Sequence, residues 1–333
     1  MDDRLIQYWH EGRAGRIRLN RPKALNALNP EMVQAIIAAL ATFLPDPAVH
    51  FILIDAPERG FCAGGDVRAL REAGMAGQAA PIETFFTGEY AMNQALADSK
   101  KPIVSLIDGI CMGGGIGLSV HGSHRIATER AVFAMPETAI ALFPDVGTSF
   151  LLPRLPGAVG MYLGLTGARL AGADAVHAGL ATHYVQAANL PALATALLAD
   201  GVAGLAAHAS PLPAFTLAPH RGLIDHAFSS PDVPEILRRL AADGSPFAHE
   251  TLAMLRAHSP LSLCWSFEII RAGATRDLQA ALAGELALVR RVAMHPEFHE
   301  GVRAVLVDKD RTPHWQPPRL EDVDPAAIAA MFA

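Results

Sequence analysis

The sequence predicts an α/β protein with a sheet-based core and a helical C-terminal region. Three observations predict it. Short, almost wholly apolar runs bounded by chain breakers, at 49–55 and 103–107, read as strands buried on both faces. Glycine loops at Gly64-Gly65 and at Gly113, Gly114 and Gly115 follow such strands and open helices, so one strand-loop-helix device occurs twice. Past Gln186 the chain becomes alanine- and leucine-rich with helical periodicity. The expected organisation is a core over 1–186 and a mainly helical region over 187–333.

Taken in order, Arg16-Ile-Arg-Leu-Asn20 alternates as a half-buried strand does, and Arg21-Pro22-Lys23 breaks it. Asn29-Pro30-Glu31 supplies an N-cap, a first-position proline and an acid in the first turn, so a helix is expected over 30–43. After the strand at 49–55 and a turn at Arg59-Gly60, Asp66 is placed to cap a helix from Val67. Gln78-Ala-Ala-Pro81 reads as a flexible joint before a helix over 83–98, on which Glu89 has surface solvation as its plain explanation. Strand 103–107, the glycine loop and a helix over 116–120 come next, then extended segments at 125–128 and 131–134. A brief helical turn at Pro136-Glu137-Thr138 ends by Phe143-Pro144, because a residue before proline is pushed out of the α region. Short helices over 158–165 and 173–178 precede a last strand at 181–185. Helix-compatible stretches lie at 190–198, 233–242, 248–257, 262–272 and 277–294; in the last, Leu282, Leu286, Val289 and Val292 share a face.

The composition excludes several function classes. With a net charge of -6, only four lysines among 27 cations and no basic run, nucleic acid is not the expected partner. The run 103–120 is interrupted by Asp108 and by glycines, so it makes a poor membrane span. Cys62, Cys111 and Cys264 form no spaced set, and the acidic N-terminus, Met1-Asp-Asp-Arg, lacks an apolar signal; a cytoplasmic protein is expected. Ser119 misses the nucleophile-elbow pattern because His121 replaces its final glycine. His121 and His124 have no supporting acid or cysteine cluster for a metal. No Walker lysine follows the glycine triplet. What remains is amide donors at helix starts beside two acids in apolar surroundings, Glu137 and Asp145, a set suited to chemistry on a carbonyl compound.

Phe61-Cys-Ala-Gly-Gly-Asp66, Lys101-Pro102 and the glycine triplet, in this order and spacing, resemble the crotonase (enoyl-CoA hydratase/isomerase) superfamily over about residues 13–185. The resemblance implies a spiral of ββα turns and acyl-CoA binding, with the thioester oxygen held by the backbone amides of Ala63 and Gly114. Gly65 and Asp66 of the same loop, and Arg21 and Lys23 after the first strand, are the implied substrate contacts, and Lys309 could reach the nucleotide end. Hydratases of this superfamily carry one glutamate three residues beyond the middle glycine, where this chain has Gly117, and a second that matches Glu137.

The run 112–122, the run 133–147 containing both acids, and 298–310 with Pro313 and Trp315 resemble the 3-hydroxyisobutyryl-CoA hydrolase family. There the acids matching Glu137 and Asp145 are catalytic and the one matching Glu89 lines the substrate end. The implied activity is hydrolysis of a β-hydroxyacyl-CoA thioester, foremost 3-hydroxyisobutyryl-CoA to 3-hydroxyisobutyrate and CoA, as in valine catabolism. No metal and no cofactor is expected, CoA being part of the substrate, and a homo-oligomer is compatible with the family. Hydration or isomerisation of an enoyl-CoA, and acyl-CoA binding without catalysis, are the alternatives.

Overall fold

Strands alternate between two sheets as the chain proceeds. The computed structural model describes residues 4–57 and 60–333; Met1, Asp2 and Asp3, and Arg59 of the expected turn, lie outside the described residues. β1 (Ile6–Glu11) and β2 (Ala14–Leu19) form a hairpin. Then come α1 (Pro30–Phe43), β3 (Phe51–Asp55), β4 (Gly60–Cys62), α2 (Val67–Met75) and α3 (Ala79–Ala97). The next turn repeats the pattern with β5 (Ile103–Ile107), β6 (Ile110–Met112) and α4 (Gly114–Val120). β7 (His124–Ala127) and β8 (Val132–Ala134) lead into a 3₁₀ turn at Glu137–Ile140, α5 (Thr148–Leu151) and α6 (Val159–Thr166). β9 (Leu170–Ala171), α7 (Gly172–Ala178) and β10 (His183–Tyr184) follow. The rest is helical: α8 (Leu190–Asp200), α9 (Arg221–Phe228), α10 (Val233–Asp243), α11 (Pro246–Ala257), α12 (Pro260–Gly273), α13 (Leu278–Val292), α14 (Pro296–Val302) and α15 (Pro325–Ala330).

The chain forms two compact units. The first takes the chain to Gly65, then Gly88–Ala134 and Arg169–Thr216, and holds both sheets. The larger sheet runs β1-β2-β3-β5-β7-β10 and the smaller β4-β6-β8-β9. Each turn of chain thus adds one strand to each sheet (β3 and β4, β5 and β6, β7 and β8), which is the spiral the resemblance implied. β2, β3, β5, β7 and β10 are parallel, and every residue of β3 and β5 is buried, as apolar runs covered on both faces require. Phe51, Leu53, Val104, Leu106 and Ile126 of the larger sheet pack with Leu193, Leu197 and Leu205. That packing explains why α8 belongs with the sheets rather than with the later helices, so the compact units do not part at residue 186 as expected.

The second unit joins Asp66–Thr87 and Met135–Ala168 to Leu217–Ala333 and is helical. Its helices start where the sequence provides caps: Asp232, Ser245, Ser259 and Asp277 each accept a backbone N–H at an N-terminus. Gln78-Ala-Ala-Pro81 is not the expected joint, because Ala79 already starts α3. Pro81 lies in that first turn, where a missing N–H breaks no intrahelical bond.

Candidate active site

In the first unit, site geometry grows out of two strand ends. β4 and β6 pair in parallel with Cys62 opposite Cys111, so the loops leaving them, 63–66 and 113–114, start side by side. Gly64 and Gly113 take φ of +111° and +48°, values that favour glycine. A Cβ on Gly114 would lie 3.4 Å from the Gly65 nitrogen, so the two loops are in van der Waals contact there. Gly114 is the first residue of α4, so its N–H has no intrahelical acceptor, and the N-cap, Gly113, has no side chain to cap it.

One expectation is corrected here. The Ala63 N–H donates to Leu25 O at 3.0 Å, so it is not available to hold a substrate oxygen. The Gly65 N–H has no backbone acceptor among the described residues and lies beside Gly114. The segment 21–28 braces this loop: Leu28 N–H donates to Gly64 O at 2.7 Å, and Asn26 Nδ2 donates to Gly60 O and Phe61 O at 2.8 and 3.1 Å. Arg21 is part of the brace, donating through Nη1 to Ala27 O at 2.8 Å, while Lys23 is exposed in a 3₁₀ turn at Pro22–Ala24. Asp66 sits at the N-cap of α2 but its side chain makes no cap bond, contrary to its expected structural role. Lys101 is also structural, its Nζ donating to Phe43 O and Asp46 O beyond α1.

Glu89 is not the solvated residue its plain reading suggests. It is 2% exposed, and its Oε1 occupies the space that a Cβ on Gly114 would need. A buried carboxyl thus lies directly against one of the two amide-bearing glycines. Burial, to which the Glu89 charge adds, pushes the Cys62 thiol up to about 12, and burial pushes Cys111 up as well, which removes both as nucleophiles. Ser119 is buried and spends its hydroxyl on Gly115 O and Ile116 O, each at 3.1 Å. His124 stacks on His183 with ring centroids 5.9 Å apart.

In the second unit both expected acids are buried, Glu137 to 6% and Asp145 to 4% exposure. Neither lies in a regular helix. Glu137 opens the 3₁₀ turn, closed by Leu142 N–H donating to Glu137 O at 2.9 Å and by Ala141 at φ +53°. Thr138 Oγ1 donates to Leu165 O at 3.2 Å, Ser262 Oγ donates to Leu142 O, and Gly301 packs against the backbone of Ile140. Asp145 precedes Val146 at φ +53°, a strained value for a β-branched residue, and Gly147 at φ +80°. Thr148 ties back, its N–H and Oγ1 donating to Asp145 O at 2.8 and 2.7 Å.

Glu285 of α13 was not foreseen. It is fully buried and accepts from Gly147 N–H at 2.7 Å, from Ser149 N–H at 3.0 Å and from Ser149 Oγ. Its spacing was the available signal, three residues after Leu282 and four before Val289 on the buried face; Leu286, expected there, is only half-buried.

Paired glycine turns on a two-sheet spiral, with a buried carboxyl against one of them, form an arrangement suited to holding a carbonyl oxygen by backbone donors. The chain belongs to the enoyl-CoA hydratase/isomerase family, whose sequence model matches residues 14–332. It is 45% identical to the chicken protein named 3-hydroxyisobutyryl-CoA hydrolase, mitochondrial, over 97% of this chain and 87% of that one. The rat protein of the same name is 46% identical over 96% and 86%. Among solved structures, a carnitinyl-CoA dehydratase from Mycobacterium thermoresistibile has a TM-score of 0.95 at 38% identity, covering 100% of this chain and 97% of that one. An enoyl-CoA hydratase from Rhodobacter sphaeroides has 0.93 at 42%, covering 99% and 97%. These relatives correct one expectation: the hydrolases are named as mitochondrial enzymes, which overturns the cytoplasmic location drawn from the cysteines and the N-terminus.

Proposed function

We propose that the protein hydrolyses the thioester of a β-hydroxyacyl-CoA, and that its substrate is 3-hydroxyisobutyryl-CoA, yielding 3-hydroxyisobutyrate and CoA. The observation that carries this reading is identity of 45–46% over almost the whole chain to hydrolases of that name. Gly117 supports it: α4 offers no carboxylate where a hydratase carries its first glutamate.

The residues supply the chemistry as follows. The Gly65 and Gly114 amides stabilise the negative charge that develops on the thioester oxygen; each such donor contributes about 3 kcal/mol to the transition state. Glu137 attacks the carbonyl carbon, CoA leaves as thiolate, and water hydrolyses the resulting anhydride; alternatively Glu137 takes a proton from water, which attacks directly. Both routes consume one water and end in the same acid and thiol. Asp145 orients that water or binds the acyl hydroxyl, and Glu89 serves the hydroxyl end of the acyl group. Lys23 contributes charge toward the CoA phosphates. Carboxylates and amides suffice for every step, so the reaction needs no metal.

Hydration is the second reading, favoured by the names of the two solved relatives. Two assays on the same protein decide between them. Thiol release from 3-hydroxyisobutyryl-CoA, with no loss of enoyl absorbance from crotonyl-CoA, is the expected result. Loss of absorbance without thiol would establish a hydratase, and neither change would leave an acyl-CoA-binding module.

A further inference from the structure

Asp145 lies on a turn that sequence alone would not hold. Val146 is β-branched with φ +53°, a backbone state that costs of the order of 1–3 kcal/mol and persists only where the surroundings over-determine it. Two residues constrain the turn. Thr148 closes it from within, onto Asp145 O. Glu285 closes it from behind, gathering the amides of Gly147 and Ser149 and the Ser149 hydroxyl on one carboxyl. Those donors belong to the residues at the start of α5, so the carboxyl does for this short helix what a cap does for a long one.

We propose that Glu285 is a positioning residue for the reaction: its buried carboxyl holds the strained 145–149 turn and so sets where the Asp145 carboxylate stands. The inference rests on the reading of Asp145 as part of the catalytic machinery. A carboxyl with no solvent exposure is costly unless its charge or its bonds are used. Here three donors use it, all on the segment that carries Asp145. Glutamine at 285 keeps the volume but has one acceptor oxygen, so its NH2 group must face either the Gly147 N–H or the Ser149 donors.

The same geometry couples two acids. Burial, with the Asp145 charge adding to it, pushes the Glu285 carboxyl up to about 8, while the Ser149 and Gly147 hydrogen bonds pull it down. Asp145 is the charged group that acts on Glu285; the neighbouring Arg276 guanidinium lies against Gly284 on the same helix. The folded-state value is raised, so the folded protein holds a proton the unfolded chain has released. Stability from this group is therefore complete below the ordinary glutamate value and is lost as pH rises through about 8.

The test compares wild type, Glu285→Gln, Ser149→Ala and Asp145→Asn, assayed for thiol release well below the melting temperature of each. Glu285→Gln should lower kcat by on the order of 10- to 100-fold with KM within about threefold, the cost of misplacing a reacting group by about 1 Å. It should also flatten the decline of Tm between pH 5 and 8. Ser149→Ala, which removes one donor only, should lower kcat by about three- to tenfold and covers the case in which Glu285→Gln does not fold. Wild-type kcat and an unchanged pH dependence in a folded Glu285→Gln, or in Ser149→Ala if the former is insoluble, would overturn the proposal. Full activity in Asp145→Asn would instead sink the reading it rests on, so the two failures are told apart.

Discussion

On the proposed reading, the sheet unit and the helical unit supply reactive groups in opposite ways. The sheet unit offers backbone: two amides at the ends of parallel strands, whose positions follow from strand register and from the absence of a Cβ. Side-chain chemistry there is mostly bracing, as in Asn26, Arg21 and Lys101. The helical unit offers side chains, Glu137 and Asp145, on an irregular stretch that has no ladder to hold it. It is held from outside by Ser262, Gly301 and Glu285 on three different helices. The first arrangement is sensitive to added atoms and tolerant of side-chain exchange. The second is sensitive to lost hydrogen bonds far from the acids in sequence.

Three substitutions sharpen that contrast. Gly114→Ala should have the largest effect, because the new Cβ would need the space that the buried Glu89 carboxyl occupies. Loss of thiol release by on the order of 10²- to 10³-fold is expected, with circular dichroism unchanged; near-normal turnover would mean the glycine amides do not hold the oxygen. Gly301→Ala breaks the second unit from behind: its Cβ would come within 2.6 Å of Ile140 O, in the turn opened by Glu137. About 1–3 kcal/mol of stability should be lost, read by denaturant titration, together with roughly tenfold of kcat. A stability loss with kcat intact would show that the turn yields without moving Glu137. Lys23→Ala is the mildest. An exposed cation toward phosphate should raise KM by about two- to fivefold, leave kcat alone, and lose its effect at high salt. A kcat change there would refute a purely electrostatic role.

Legibility followed the same divide. The helix at 30–43 and the strand at 103–107 were read to the residue, because capping chemistry and apolar runs are local signals. β1 was missed because only Ile6 is buried in it, while Trp9 lies under the Arg16 and Arg18 guanidiniums, so no alternation shows. The glycine loops were legible, but not which amide is already spent: Ala63 and Gly65 differ only in a hydrogen bond from Ala63 to Leu25, nearly forty residues upstream. Glu137 and Asp145 could be picked out as acids in apolar surroundings. Glu285 could not be picked out on its chemistry, since a lone acid on an amphipathic helix reads as its polar face until the buried stripe is known to pass through it.

The central claim is that Glu137 converts a bound acyl-CoA into free acid and thiol. Thiol release by Glu137→Gln, set beside its calorimetric affinity for the CoA ester, tests it most directly. Turnover should fall by on the order of 10²- to 10⁴-fold, with affinity within a few fold of wild type. Turnover equal to wild type in that variant would contradict it.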